Sequence, residues 1–185
     1  MKTIALLRFS HRQEGNCAAI GAYIHSSFPD ADILEFVMDA DSCRPCHDCS
    51  YQCLRGEGSC PHLCGSYADA LNTIRTSDLA FFILPNYCGF PCASYFAFNE
   101  RSVGFFHGNE ALLESYLAVP KRFIIVSNTE SQVFTDAMQQ QVLQPPEILY
   151  LKSNCYEKKG VNGDILSSDA AKSTLEAFLR KDDFL

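Results

Sequence analysis

Short runs of apolar residues alternate along the chain with stretches in which apolar residues recur every three or four positions. The first pattern is typical of β-strands, and the second is typical of one face of an α-helix. The predicted strands are Thr3–Arg8, Asp32–Met38, Leu79–Leu84, Phe123–Val126 and Glu147–Leu151. The predicted helices are Asn16–Phe28, Tyr67–Thr76, Pro91–Arg101, Asn109–Ala118, Ser131–Val142 and a last one with an apolar stripe of Ala171, Leu175, Phe178 and Leu179. We expect Ser167 or Ser168 to cap that last helix.

The alternation of strands and helices predicts the fold. Strands joined by helices pair in parallel through right-handed crossovers, which places helices on both faces of the sheet. Residues Leu79–Leu84 (LAFFIL) are apolar throughout, as in a strand buried on both faces. Five such strands fit an α/β three-layer sandwich of the flavodoxin-like class, with a parallel sheet of order 2-1-3-4-5. We expect a single domain over residues 1–185, with a Cys-rich insertion loop at residues 39–66.

Composition and charge narrow the classes of function. The chain has 185 residues, of which 47% are hydrophobic and 20% charged, an ordinary globular mixture. Its formal net charge of -7 argues against binding to nucleic acid or to an anionic membrane surface. No segment reaches the roughly 20 apolar residues of a membrane-spanning helix. The apolar run Thr3–Leu7 is too short for the core of a signal peptide, so we expect a cytoplasmic protein.

The loop after the first predicted strand carries groups that suit a phosphate. It precedes a helix, whose free N–H groups and dipole favour an anion. Ser10 and Asn16 offer side-chain donors, and Arg12 adds a charged donor. Gly15 lets the backbone approach a ligand closely. The same residues also fit an ordinary capped loop with Asn16 as the N-cap, and they form neither a Walker nor a GxGxxG motif.

Two further loops are expected at the same end of the sheet, because the carboxyl ends of parallel strands share one edge. The loop Pro85-Asn86-Tyr87-Cys88-Gly89 follows the third strand, and Ser127-Asn128 follows the fourth. A loop made rigid by Pro and Gly can present backbone groups to a flat heterocycle. Tyr87 adds an apolar ring with a polar tip. The alternative interpretation is a pair of ordinary turns between strand and helix.

The two longer loops resemble those of the NAD(P)H-dependent FMN reductases, in the flavodoxin-like superfamily. The motifs that carry the resemblance are Ser10-x-Arg12-x-x-Gly15-Asn16 and Pro85-x-Tyr87-x-Gly89 with a following Phe98-x-Glu100-Arg101. Cys17 stands where the family usually has Thr or Ser, and Glu100 replaces the usual Asp. The resemblance extends from the N-terminus to about residue 130.

The resemblance implies that FMN binds at these loops and that NAD(P)H or a ferredoxin-like protein delivers electrons to it. The implied FMN-binding residues are Ser10, Arg12, Gly15, Asn16 and Cys17 at the phosphate, Pro85, Asn86, Tyr87, Cys88 and Gly89 at the ring, and Ser127 and Asn128 at its pyrimidine side. No residue is assigned as a general acid or base, because the flavin performs the chemistry. Relatives in this family also imply a homodimer or a higher homo-oligomer.

Six of the ten cysteines lie in the insertion loop, at positions 43, 46, 49, 53, 60 and 64. A reducing cytosol disfavours a disulfide framework, and clustered thiolates suit zinc or an iron–sulfur cluster. The loop resembles that of the iron–sulfur flavoproteins, a branch of the same family, which implies a [4Fe–4S] cluster. The implied ligands are Cys46, Cys49, Cys53 and Cys60, with one residue more than usual between the second and third.

Several alternatives for this loop stay open. Cys43 is an alternative to Cys46 as the first ligand, because Cys43-x2-Cys46-x2-Cys49 matches the opening of the motif without a gap. Zinc can bind the same thiols, with His47 or His62 as an extra ligand. The thiols can also stay reduced and free of metal.

The favoured hypothesis is an FMN-dependent oxidoreductase that transfers electrons from a reduced donor to an unknown acceptor. A non-enzymatic electron carrier like a flavodoxin is one alternative, although simple flavodoxins lack the cysteine loop. A zinc-stapled binding module that has kept the fold and lost the flavin is the other. Cys17 favours this last alternative, because a thiol is a poorer donor to phosphate than a hydroxyl.

Overall fold

The computed structural model describes residues 1–46, 49–58 and 60–181, which form a sheet covered by helices on both faces. The strands are β1 (Thr3–Arg8), β2 (Asp32–Val37), β3 (Leu79–Tyr87), β4 (Phe90–Pro91), β5 (Lys121–Ser127) and β6 (Glu147–Lys152). The helices are α1 (Asn16–Ser27), α2 (Gln52–Arg55), α3 (Gly65–Thr76), α4 (Ala93–Phe106), α5 (Glu110–Ala118), α6 (Gln132–Gln139) and α7 (Asp169–Leu179). Short 3-10 helices lie at Ser153–Tyr156 and Ile165–Ser167.

Five of the strands form a parallel sheet of order β2-β1-β3-β5-β6, which confirms the predicted topology and the flavodoxin-like class. The register places Leu7 of β1 between Phe36 of β2 and Phe82 of β3. The sixth strand, β4, was not predicted. It pairs antiparallel with the end of β3, where Asn86 faces Pro91. Two residues carry no periodicity, so the sequence pattern offered no signal for this strand.

The core lies on both sides of the sheet. Successive side chains of a strand point to opposite faces, so neighbouring residues of β3 enter different clusters. Phe82 packs with Phe9 and Phe98 on one face, whereas Phe81 packs with Phe28 on the face covered by α1 and α7. Leu79–Leu84 is wholly buried, which confirms the prediction of a central strand.

Two helices end three or more residues away from the predicted position. Helix α4 continues to Phe106, five residues beyond the predicted end, because Phe106 packs against Tyr116 of α5 with ring centroids 5.0 Å apart. Helix α6 ends at Gln139, before the predicted Val142. Among the described residues, no helix is long and apolar enough to cross a membrane.

A buried cation fixes the start of the first loop. Arg8, at the end of β1, is 6% exposed and its Nε lies 3.0 Å from the Glu35 carboxylate on β2. Its Nη1 also donates to the backbone carbonyl of Ser10 at 2.8 Å. A buried charge is stable only when it is paired and hydrogen-bonded. Arg8 therefore ties the first loop to the neighbouring strand.

The N-cap of α7 generates a stability prediction. Ser168 is the N-cap, and its hydroxyl accepts the Ala171 N–H at 3.4 Å, whereas Ser167 lies in the preceding turn. We expect Ser168→Ala to lower the free energy of unfolding by about 1 kcal/mol. Ser167→Ala should change it by less than about 0.5 kcal/mol. Urea denaturation of the two variants checks this, and equal losses would contradict the assignment of the cap.

Candidate functional site

The loops that follow β1, β3 and β5 meet at one cavity of about 280 Å³ at the carboxyl end of the sheet. The predicted residues that line it are Ser10, Arg12, Gly15, Asn16, Cys17, Pro85, Asn86, Tyr87, Ser127 and Asn128. Val126, Ser153, Gly160 and Val161 complete the wall, although none of them belongs to a motif in the sequence. Cys88 and Gly89, predicted at the ring, lie outside this lining. The structure therefore brings three predicted loops together and adds a fourth segment.

Gly15 is the N-cap of α1, so the alternative that Asn16 caps this helix is wrong. Its backbone is extended, with φ -104° and ψ 165°, and no side chain caps the helix. The first N–H groups of an α-helix have no partner within the helix. Those of α1 therefore remain available at the cavity, where the helix dipole also favours an anion.

The side chain of Asn16 binds the C-terminal part of the chain. Asn16 is buried, and its Nδ2 donates to the Gly160 carbonyl at 2.9 Å. Its Oδ1 accepts the Ile165 N–H, also at 2.9 Å. The amide nitrogen carries two hydrogens, so one donor is left beside the bond to Gly160. That Asn16 binds a phosphate stays a prediction.

Residues 153–165, which connect β6 to α7 and which we call the strap, lie against the first loop. Arg12 Nη2 donates to the Val161 carbonyl at 2.8 Å. Gly163 has a φ of +78°, and a Cβ at this position would stand 2.2 Å from the Glu14 carbonyl oxygen. The close approach therefore requires glycine. No sequence motif predicted the strap, and its two glycines were the only signal in the sequence.

The cavity favours an anion and lacks a thiolate. Of the described residues that line it, only Arg12 carries a charge, although the protein has a formal net charge of -7. Burial, followed by the neighbouring Cys92 thiol, raises the pKa of Cys17 to about 12. Cys17 is thus a neutral, packed thiol at pH 7, and it is not a nucleophile.

The loop after β3 is a tight hairpin. Cys88 and Gly89 both have positive φ, 55° and 88°, which is the geometry of a type I′ turn. The Gly89 N–H donates to Asn86 Oδ1 at 2.8 Å, and the Gly89 carbonyl accepts from Ser131 Oγ at 2.8 Å. The predicted backbone donor at Gly89 is therefore already engaged. Tyr87 is 61% exposed at the cavity edge.

Side-chain amides connect the loops to one another. Asn86 Nδ2 donates to Ser127 Oγ at 2.6 Å, which joins the loop after β3 to the loop after β5. Asn128 Oδ1 accepts the Asn154 N–H at 3.3 Å, which joins the loop after β5 to the strap. A site whose walls are held by such bonds is preorganised for a ligand.

A second cavity, of about 310 Å³, lies beside the cysteine loop. Its cysteine and histidine lining residues are Cys46, Cys53, Cys60, Cys64 and His62. Burial, followed by the neighbouring Cys49 thiol, raises the pKa of Cys46, so Cys49 also lies close to this group. As placed, no three described His, Cys, Asp or Glu side chains form a set that could hold a metal ion. Three of the predicted ligands thus share one cavity without coordination geometry.

The other candidate metal ligands in the cysteine loop are Cys43, His47 and His62. Cys43 belongs to the hydrophobic core and is not among the residues that line this cavity, and burial raises its pKa to about 12. His47, considered as a zinc ligand, lies outside the described residues. His62 lines the cavity, and its carbonyl accepts from the Arg101 guanidinium, which also stands 4.6 Å above the Tyr67 ring.

Helix α4 supports the thiols through Gly104. A Cβ at this position would lie 3.4 Å from Cys53 Sγ, 3.6 Å from Cys60 Sγ and 3.1 Å from the Cys60 Cβ. The missing side chain thus lets the cysteine loop approach the helix. Glu100, which replaces an Asp in the motif described above, lines the same cavity.

The fold and the first cavity define a flavodoxin-like α/β protein with a cavity at the carboxyl ends of its strands. No protein-family model matches the chain, and no curated protein matches it in sequence. The solved structures that it resembles include the Trp repressor binding protein from Bacillus subtilis, at 14% identity and a TM-score of 0.62, with 97% of this chain and 99% of that chain covered.

Two other solved structures of the same fold are flavoenzymes by their names. The FMN-dependent NADH-azoreductase from Bacillus anthracis, in complex with FMN, is 10% identical with a TM-score of 0.64, and 97% of this chain and 99% of that chain are covered. FerB, a flavoenzyme NAD(P)H:(acceptor) oxidoreductase from Paracoccus denitrificans, is 12% identical with a TM-score of 0.56. The match covers 97% of this chain and 96% of that chain. At these identities the likeness shows the fold.

The strap yields a prediction that separates backbone strain from steric overlap. Gly108 has a φ of +72°, and nothing lies within 4 Å of the place that a Cβ would take, so it is a matched control for Gly163. We expect Gly108→Ala to cost about 1–2 kcal/mol of unfolding free energy, the strain of a left-handed backbone alone. Gly163→Ala should cost at least about 1 kcal/mol more, because the overlap with Glu14 displaces the strap. Equal losses in urea denaturation would show that the strap does not press on the first loop.

Proposed function

We propose that this protein is an FMN-dependent oxidoreductase that passes electrons from NAD(P)H to an acceptor. The observation that carries the proposal is the meeting of three strand-end loops at one cavity, with Arg12 and the uncapped start of α1 in its wall. Ligands of open α/β sheets bind at this place in the fold. Two solved structures of the same fold are named as enzymes of this kind.

The phosphate of FMN would be held at the first loop. Arg12 supplies the charge, the first N–H groups of α1 supply directed donors, and Gly15 leaves room for close approach. Cys17 lies beneath this loop as a neutral thiol, so it contributes packing and a weak donor. The donors are fixed before the ligand arrives, because Arg8 and Asn16 hold the loop from both sides.

The flavin ring would lie over the hairpin after β3, against Tyr87. Bound FMN supplies the hydride and one-electron chemistry, and the chain supplies position and electrostatics. Asn86 orients this wall by bonding both Gly89 and Ser127. Because the only described charge in the cavity is Arg12, we assign no general acid or base.

The electron donor and the assembly are also parts of the proposal. We propose NAD(P)H as the donor, with a ferredoxin-like protein as the alternative, and a homodimer or higher homo-oligomer as the working form. The ring end of the site is open, since Tyr87 is 61% and Phe90 is 52% exposed. Exposed aromatic side chains at a site are typical of a surface that binds another molecule.

Titration with FMN tests the proposal directly. We expect the wild-type protein to bind FMN and Arg12→Met to raise the dissociation constant about 10- to 100-fold, because a hydrogen bond to a charged group contributes about 1.5–3 kcal/mol. Flavin fluorescence or calorimetry measures this. Arg75→Met is the matched control, since Arg75 lies near the end of α3 and outside the cavity.

Anaerobic mixing of the FMN-loaded protein with NADH or NADPH separates the hypotheses. Rapid loss of the oxidised flavin band supports the oxidoreductase. Binding of FMN without reduction by either nicotinamide would favour an electron carrier. Failure of the wild type to bind FMN would contradict both the oxidoreductase and the electron carrier. The zinc-stapled binding module would then be the remaining hypothesis.

We further propose that the cysteine loop holds a [4Fe–4S] cluster, with zinc as the alternative occupant. The observation that favours it is that Cys46, Cys53 and Cys60 line one cavity and that Cys49 lies beside them. An all-thiol donor set suits both occupants. Gly104 leaves the space beside Cys53 and Cys60 in which the sulfurs could converge.

Metal analysis of anaerobically purified protein tests the cluster. We expect about four iron and four sulfide per chain, the content of one [4Fe–4S] cluster. Cys60→Ser should lose most of this iron, whereas Cys43→Ser should retain it, because Cys43 is buried in the core. One zinc per chain without iron would support the alternative occupant. Protein free of both metals would contradict the proposal.

A further inference from the structure

Ser153 is a buried polar residue without a visible role in the fold. It follows β6 directly, is 0% exposed, and lines the first cavity. Its Oγ has no hydrogen-bond partner among the residues that the structure describes. Proteins pair nearly all of their buried polar groups, so an unpaired hydroxyl in a cavity wall calls for a ligand as its partner.

The strap places this hydroxyl near the start of α1. A Cβ on Gly160 would lie 3.5 Å from Ser153 Oγ, so the two residues are neighbours across the strap. The Gly160 carbonyl in turn accepts from Asn16, the first residue of α1. The backbone of Ser153 is itself fixed, because its carbonyl accepts the Lys158 N–H at 2.9 Å. The hydroxyl therefore neighbours Gly160, the residue that binds the start of α1.

A phosphate group can accept hydrogen bonds from donors beyond those of the first loop. Its oxygens accept several hydrogen bonds at once, and Arg12 already gives one of its own donors to the Val161 carbonyl. The Asn16 amide is engaged with the strap. An unpaired hydroxyl beside these groups has the chemistry and the location of a further donor.

We infer that Ser153 is a phosphate-binding residue of this cavity, contributed by the strap rather than by the loops after β1, β3 and β5. The inference rests on the proposed function, since it takes the phosphate of FMN as the ligand. The strap would then bind the ligand as well as pack against the first loop. The strap becomes a fourth binding segment, positioned by Asn16 and Gly163.

The test compares FMN with riboflavin, which lacks the phosphate, on the wild type and on Ser153→Ala. We expect the variant to raise the dissociation constant for FMN about tenfold and to leave that for riboflavin unchanged, because it removes one hydrogen bond to a charged group. The ligand-free variant should unfold at the same urea concentration as the wild type or at a higher one. The deleted hydroxyl has no partner to lose in the described structure.

Ser77→Ala is the matched control. Ser77 is also buried, but its hydroxyl donates to the Thr73 carbonyl at 2.7 Å and lies outside the cavity. This variant should unfold at lower urea and bind FMN like the wild type. Such a pair of results separates a ligand-binding serine from a structural one.

Three outcomes would overturn the inference. If Ser153→Ala binds FMN as tightly as the wild type, Ser153 does not hold the ligand. If FMN and riboflavin lose affinity equally, the hydroxyl shapes the cavity and does not bind phosphate. A wild type that binds no FMN would overturn the proposed function and this inference together, whereas the first two outcomes leave the proposed function intact.

Discussion

The site depends on the buried amide of Asn16. This side chain binds the Gly160 carbonyl and the Ile165 N–H, which lie 144 and 149 residues further along the chain. Without it, the Gly160 carbonyl and the buried Ile165 N–H of the strap would lose their partner, which is costly. The amide thus joins the first strand-to-helix loop to the last segment before α7. This junction fixes the start of α1 against the strap.

Other polar side chains hold the remaining loops of the cavity in place. Arg8 fixes Ser10 from below, Asn86 links the second and third loops, and Asn128 reaches the strap. None of these bonds stabilises the sheet, which is held by its apolar strands and two core clusters. They determine instead where the loop donors lie. Such preorganisation lowers the entropic cost of binding a ligand, because the loops are already ordered.

The sheet could be predicted because its strands are short apolar runs, and the parallel order followed from the helices between them. The placement of Arg12, Tyr87 and Ser127 at one cavity followed from the rule for strand ends. The strap could not be predicted, because its contacts with Asn16 join residues far apart in sequence and have no local pattern. For the same reason Asn16 was expected to bind a ligand with its side chain, and its bonds within the fold to Gly160 and Ile165 were not foreseen. A motif identifies the residue type but does not distinguish these two uses.

Helix α4 connects the hairpin beside the first cavity to the thiol cavity. It begins just after the hairpin that bears Tyr87, and its last turn, at Gly104, contacts Cys53 and Cys60. The cysteine loop is inserted after β2, an edge strand, so it extends the protein without interrupting the central strands β1 and β3. Phe98, in the middle of α4, packs on Phe9 and Phe82 and makes the helix part of the core. Because α4 runs from the hairpin beside the first cavity to the wall of the second, the fold sets the separation of the two cavities.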